Sequence, residues 1–331
     1  MNADLALPIH TPASESLNPF APSDYERRRQ RAATRNKWIM FGFCALLIIP
    51  LVLILINIFV KAAPLFSLDY IWQNPVNKGK GGGLWAPLVG TFYLVIGSLV
   101  VVAPIGTLAA IYLNEYAREG WVNRMISITV TSLAGVPSIV HALFGLGAFV
   151  LTMLPAINRL FVDPSNPEKR LEAGLLTASL TIAVMNLPVI ITSAREALGA
   201  VPMAFREACW NLGATRWQTI RTIVLPNSFS GILTGVILTV SRAAGETAPI
   251  LFTGATYFKF IPDSGWGKIF PYSVGEPFVA MSMHLHVICT QISRMPDVMK
   301  FGAAAALIGL ILFVNSFAIV LRVWLRGRKR W

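Results

Sequence analysis

Residues 207–226 read Glu207-Ala208-Cys209-Trp210-Asn211-Leu212-Gly213-Ala214-Thr215-Arg216-Trp217-Gln218-Thr219-Ile220-Arg221-Thr222-Ile223-Val224-Leu225-Pro226, a short polar stretch set between two long apolar runs. Phe205, Ala208, Cys209 and Leu212 recur at helical spacing, which predicts a short amphipathic helix. Gly213 lacks a Cβ and permits a sharp turn before a second helical stretch. Pro226 suits the first turn of the helix that follows. The loop 203–226 is therefore expected to form a compact helix-turn-helix knob, projecting from whatever medium holds its flanking runs.

Composition identifies that medium. Of 331 residues, 55% are hydrophobic and only 13% charged, whereas soluble domains carry about a quarter charged. A bilayer core of about 30 Å needs about 20 apolar residues of helix. Six runs qualify, at 38–60, 87–113, 125–154, 172–193, 228–251 and 301–325. The expected fold class is an all-α membrane protein with six transmembrane helices and the knob between the fourth and fifth. The first run is longer than the roughly 7–15-residue core of a signal peptide and has no small-residue cleavage site after it, so it is expected to remain as an anchor. A net charge of +12 could suit nucleic acid. The basic residues flank apolar runs instead of lining one polar face, so topology explains them and no nucleic-acid partner is expected.

Residues 1–37 combine Pro8, Pro12, Pro19 and Pro22 with the cluster Arg27, Arg28, Arg29, Arg31, Arg35 and Lys37, and read as a disordered basic tail. Basic residues are denser beside the termini and the knob than in 61–86 and 252–300. By the positive-inside rule both termini are then expected to be cytoplasmic, with 61–86 and 252–300 on the outer side, 87–251 the transmembrane core and 326–331 a short cytoplasmic tail. The expected location is a bacterial inner membrane, where that outer side is the periplasm. Pro104 with Gly106, and Ala134-Gly135-Val136-Pro137-Ser138, interrupt the second and third runs. Broken helix at membrane depth is tolerated only where protein or a wet cavity covers the freed backbone, so these spans are expected to face each other or a pathway. Residues 278–292 suit an amphipathic helix lying on the outer surface.

Several chemistries are not expected. His284, His286 and Cys289 follow H-x-H-x-x-C, which lacks a fourth ligand and matches no common zinc spacing. Cys44, Cys209 and Cys289 fall in a span, the knob and an external segment, and make no disulfide framework. No G-x-x-x-x-G-K-[ST] loop is present, so the chain is not itself a nucleotide hydrolase of that type. No nucleophile-base pair falls within the spans, so no catalytic site is expected.

Charge inside a span is costly and marks function by default. Arg242 and Glu246 stand four residues apart in the fifth run, on one helical face, where they can pair. An anion could compete with Glu246 for the Arg242 guanidinium, whose planar fork suits phosphate oxygens. Arg195 and Glu196 end the fourth run, where the same chemistry competes with snorkelling to the interface. His141, four residues after Pro137, reads as an interhelical hydrogen-bond partner.

The knob resembles the signature of the integral subunits of binding-protein-dependent ABC importers: Glu-Ala-Ala, three residues, Gly, nine residues, then Ile-x-Leu-Pro. Only Cys209 departs from it, a small residue in place of the second alanine. The resemblance implies that Glu207, Ala208, Gly213, Ala214, Leu225 and Pro226 couple the chain to an ATPase subunit. A closer resemblance covers about 60–325. It rests on Gly81-Gly82-Gly83 before Val89-Gly90-Thr91, Ala103-Pro104-Ile105-Gly106 with Tyr112-Leu113-Asn114-Glu115-Tyr116, Leu133 to Val140 with Leu143-Phe144-Gly145, and Gly245 to Phe252. These are similar to the PstA permeases of phosphate importers. That family implies a type I ABC importer permease fold, phosphate as cargo, and Arg195, Arg242 and Glu246 along its path. It also implies a PstC-like sister permease, a PstB-like ATPase dimer, a PstS-like periplasmic phosphate-binding protein and the regulator PhoU. No cofactor is expected in this chain, ATP and Mg belonging to the ATPase. The residues themselves leave open a permease for another oxyanion (sulfate, molybdate or phosphonate) and an ATPase-independent channel or secondary transporter.

Overall fold

The computed structural model describes residues 24–118, 120–162, 170–256, 261–262 and 265–327. The first helix, α1, runs from Asp24 to Ala62. Its basic cluster was expected to be disordered, and from Asp24 onward it is helical. Between Asp24 and Lys37 there is neither Pro nor Gly, and Arg, Gln, Ala and Glu are strong helix formers. The earlier part of that tail, with its four prolines, and the terminal residues 328–331 lie outside the described residues. The chain divides into two units, Met1–Asn57 and Ile58–Trp331.

In the second unit a short helix, α2 (Leu68–Trp72), precedes an antiparallel hairpin of β1 (Pro75–Val76) and β2 (Gly81–Gly82). The helix α3 (Trp85–Ile111) ends in a π turn at Tyr112–Tyr116, and α4 (Trp121–Ala134) follows. A rod then combines α5 (Ser138–Gly145), a π-helical stretch at Leu146–Met153 and α6 (Leu154–Phe161). Next come α7 (Leu175–Gly199) and α8 (Met203–Asn211). A second rod combines α9 (Arg216–Thr219), a π turn at Ile220–Val224 and α10 (Leu225–Gly245). The chain closes with α11 (Ala248–Thr253), α12 (Trp266–Ile269), α13 (Met281–Thr290) and α14 (Asp297–Gly327). Among the described residues, six helices are long and apolar enough to cross a membrane: Arg28–Leu65, Trp85–Tyr116, Ser138–Phe161, Leu175–Gly199, Arg216–Gly245 and Asp297–Trp324.

Proline explains where these differ from the predicted runs. Pro104 was expected to interrupt the second span, but α3 passes through it. Pro137 does break the third run, and more completely than the span 125–154 implied. Its ring would clash with the Leu133 carbonyl and it moves Val136 out of the helical region, so α4 stops at Ala134 and the crossing helix starts at Ser138. Pro249 does the same to the fifth run. A continuous helix would set its ring against the carbonyl of Gly245, and α10 ends at that residue. Pro226 is instead absorbed by the π turn directly before it, which contains the carbonyl of Thr222 that Pro226 cannot bond.

The core is centred on α7, which packs against α3, α4, α5, α10 and α11. Leu94, Ile182, Ile250 and Phe278 are each at most 1% exposed at the middle of this assembly. In lipid no hydrophobic force draws helices together, so close approach of small residues has to hold them. A Cβ at Gly97 would lie 2.6 Å from the Ser179 hydroxyl, and one at Gly106 2.6 Å from Ile190 Cγ2, so α3 touches α7 along that stripe. On another face, Gly231 meets Ala197 and Gly235 meets Ser193. The numbers rise along α10 while they fall along α7, so the two are antiparallel neighbours.

The helix expected to lie on the outer surface is buried. Met281, Met283, His284, Val287 and Ile288 of α13 are buried: Met281 and Ile288 cluster with Tyr70, Leu84, Met295 and Ala303, and Met283 and Val287 join the central cluster, with α3 and α14 packed against the helix. Its pattern of apolar residues was the right one for an interface, but the facing surface is protein. Burial pushes the His284 imidazole from 6.5 down to about 4. The unfolded chain then binds more protons between those values, so the stability due to a neutral His284 is complete above about pH 6.5 and lost as the pH falls toward 4. The slope is at most about 1.4 kcal/mol per pH unit. The unfolding midpoint of the detergent-solubilised protein should fall between pH 7 and pH 5, and His284→Gln should flatten that dependence. An equal slope in the variant would refute the assignment.

Candidate solute pathway and coupling knob

The knob is built by local capping chemistry. Gly213 has φ of +81°, in the left-handed region, and terminates α8 as its C′ residue. Its N–H donates to the Trp210 carbonyl at 2.9 Å and that of Ala214 to the Cys209 carbonyl at 3.0 Å, the paired bonds of a Schellman cap. Thr215 then caps α9. Its hydroxyl accepts from the Gln218 N–H, and the Gln218 side chain accepts from the Thr215 N–H at 2.8 Å. Glu207, Ala208 and Gly213 are exposed, Ala214 is half-buried, and Leu225 and Pro226 open α10. Met203, Phe205, Leu212 and Trp217 are exposed as well, Leu212 by 88%. An apolar patch of this kind on a polar loop marks a docking surface.

Behind the knob, Ala110 and Ile111 of α3, Ala194 and Leu198 of α7, Ile220 and Val224 of the π turn and Ile232 of α10 form one buried cluster. The knob is thus seated on the ends of three spans. Glu115 and Arg206 meet there at 2.8 Å. Neither residue could be paired from the sequence, because no periodicity relates positions 91 apart.

Arg195 lies one turn from the end of α7, inside the helix and not at its terminus. Its Nη1 donates to the Ser127 hydroxyl of α4 at 2.6 Å. It lines a cavity of about 600 Å³ with Trp121, Asn123, Arg124 and Ser127. A second cavity of about 330 Å³, which Arg195 and Ser127 also line, adds Asn114, Thr131, Thr192 and Glu196. Arg124 and Ser127 were not singled out from the sequence. The signal was the break at Pro137, which makes α4 a helix separate from the crossing one, packed against α7.

Arg242 pairs with Glu246 through a single contact, Nε to Oε1 at 3.2 Å, with the side chains 39% and 21% exposed. Glu246 is the residue at which α10 unwinds, with φ of −75° and ψ of 129°, and its carbonyl accepts from the Ser282 hydroxyl at 3.0 Å. The pair therefore sits at a helix break and not on a continuous helical face. Arg195 and Arg242 do not share a site. Arg195 is level with the turn between Gly231 and Gly235, so Arg242 lies about nine residues, or roughly 14 Å, further along α10.

The expectation for His141 is corrected. His141 makes no interhelical bond among the described residues; its Nδ1 stands 3.4 Å from the Pro137 carbonyl of its own helix, and its Nε2 is buried without a partner. His284 is buried and Cys289 exposed, and no three His, Cys, Asp or Glu side chains converge among the described residues.

Residues 102–331 match the family described as "Binding-protein-dependent transport system inner membrane component". The "Phosphate transport system permease protein PstA 2" of Mycobacterium bovis is 30% identical over 312 residues, covering 92% of this chain and 93% of that protein. The "Probable ABC transporter permease protein YqgI" of Bacillus subtilis is 27% identical over 281 residues, covering 83% and 90%. A solved bacterial ABC transporter involved in the import of alginate aligns with TM-score 0.57 at 15% identity over 89% of this chain and 98% of that one, a likeness of fold alone. The helices, the knob and these matches together make the chain a member of the family of binding-protein-dependent transport system inner membrane components, where it groups with the PstA permeases.

Proposed function

We propose that the chain is the permease subunit of an ATP-driven importer of inorganic phosphate in a bacterial inner membrane. The observation that carries the cargo is Arg242, held by one contact at a helix break and part-exposed, with Arg195 a further level along the adjacent antiparallel helix. A guanidinium in such a loose pair can exchange a carboxylate for phosphate oxygens without leaving a buried charge unpaired. The PstA relatives support the same cargo. Arg118, Arg124, Arg216 and Arg221 stand at the knob end and support a cytoplasmic knob with both termini on that side.

In this reading a PstC-like sister permease completes the pore and a PstS-like binding protein delivers phosphate from the periplasm. A PstB-like ATPase dimer, which holds ATP and Mg, receives the knob through Glu207, Ala208, Gly213 and Ala214, and the PhoU regulator joins that side. The chain has no catalytic role of its own.

Reconstituted with these subunits, it should take up labelled phosphate only with ATP, and excess unlabelled phosphate should compete while sulfate, molybdate and phosphonate should not. Equal competition by sulfate or molybdate would overturn the cargo. Uptake that survives without the ATPase subunit would favour a channel or secondary transporter instead.

A further inference from the structure

Most of α8 faces outward, yet Arg206 on it is only 6% exposed. Its guanidinium makes four hydrogen bonds. Nη2 and Nε donate to the two carboxylate oxygens of Glu115, at 2.8 and 3.2 Å, and Nη1 and Nη2 donate to the carbonyls of Val201 and Leu198, at 2.5 and 2.9 Å. Leu198 is in the last turn of α7, where helical carbonyls have no partner within the helix and the dipole is negative. Glu115 belongs to the π turn that ends α3, and Asn114 braces it with a bond of 2.7 Å. One side chain therefore ties α8 to the ends of two spans.

Besides this pair, α8 packs on α9 and on the π turn at Ile220–Val224. Only Ala200, Val201 and Pro202 separate α7 from α8, and beside the ion pair lies a cavity of about 430 Å³ lined by Asn114, Met203, Trp210 and Arg216. Apolar packing would let a short helix slide, and a buried ion pair adds little net stability over apolar residues of the same volume. What a two-pronged Arg-carboxylate contact does supply is direction, because both prongs must stay aligned. We propose that the Glu115–Arg206 pair is the joint through which displacement of α8 is delivered to α3 and α7, making both residues positioning residues for ATP-coupled transport. This rests on the reading of the knob as the ATPase contact.

The test uses the full complex in proteoliposomes, with the loaded binding protein outside, and measures phosphate uptake and ATP hydrolysis together. The double variant Glu115→Gln, Arg206→Gln removes both charges and leaves two amides able to bond. Arg206→Lys keeps the charge without the fork. Both should assemble and hydrolyse ATP at the basal rate, whereas phosphate moved per ATP should fall about tenfold in the double variant and less in Arg206→Lys. Stimulation of hydrolysis by the loaded binding protein should fall with it, and that readout does not depend on which solute crosses. A wild-type ratio with wild-type stimulation in the double variant overturns the joint. So does failure of both variants to assemble, which would make the pair a requirement of folding alone. Failure of the wild-type complex to take up phosphate would refute the cargo, and the stimulation readout would still test the joint.

Discussion

Replacing Arg242 by alanine should lower phosphate uptake about 10- to 100-fold, the effect of losing one or two hydrogen bonds to a charged group at about 1.5–3 kcal/mol. Folding should not be the cause. An i,i+4 pair this exposed contributes only about 0.3–0.5 kcal/mol to stability, so the variant should assemble in normal yield. Arg242→Lys keeps the charge and loses the fork, and should fall between wild type and alanine. Arg195→Ala should also impair uptake, and because the two arginines lie at different levels, the double variant should be worse than either alone. Initial rates in proteoliposomes, with complex yield as the control, decide this. Unchanged uptake in Arg242→Ala would remove that residue from the pathway.

The second large effect belongs to packing. A Cβ at Gly235 would meet the Ser193 hydroxyl and stand 2.8 Å from Ser193 Cβ, a contact that rotating the hydroxyl away does not relieve. Gly235→Ala should destabilise by about 1–3 kcal/mol, the usual cost of overpacking. Gly235→Leu should exceed that and separate α10 from α7, with the yield of assembled complex falling about tenfold. Gly309→Ala on α14 is the contrast. Beyond its own stretch of helix no atom of the described residues lies within 4 Å of where its Cβ would be, and its yield should not change. A normal yield and melting temperature in Gly235→Leu would show that the two helices do not rely on this contact.

Much of the molecule was legible beforehand because its signals are local. Apolar run length is set by bilayer thickness, so six crossing helices could be counted. The turn at Gly213 needs one residue without a Cβ, and Pro226 falls in the first turn of the helix that follows. The break at Pro137 follows from one ring and one carbonyl. The first and fifth runs were harder, because helix propensity in a charged segment and a single Pro-directed stop move an end by many residues without altering hydropathy. The position of α13 was misread for a related reason. An apolar stripe specifies that something apolar covers it, and here the cover is α3 and α14, not lipid.

Length, composition and local motif thus determined by themselves that this is a six-helix membrane protein with a helix-turn-helix knob and charged residues inside its spans. Only the tertiary structure decided which of those charges meet. It joined Arg206 to Glu115 across 91 positions, set Arg195 against Ser127 of α4, and left Arg242 at a break about 14 Å away along the antiparallel helix. Local rules see neighbours along the chain within a turn or two. A guanidinium is partnered by whichever oxygen the packing of α7 against α3, α4 and α10 brings within about 3 Å.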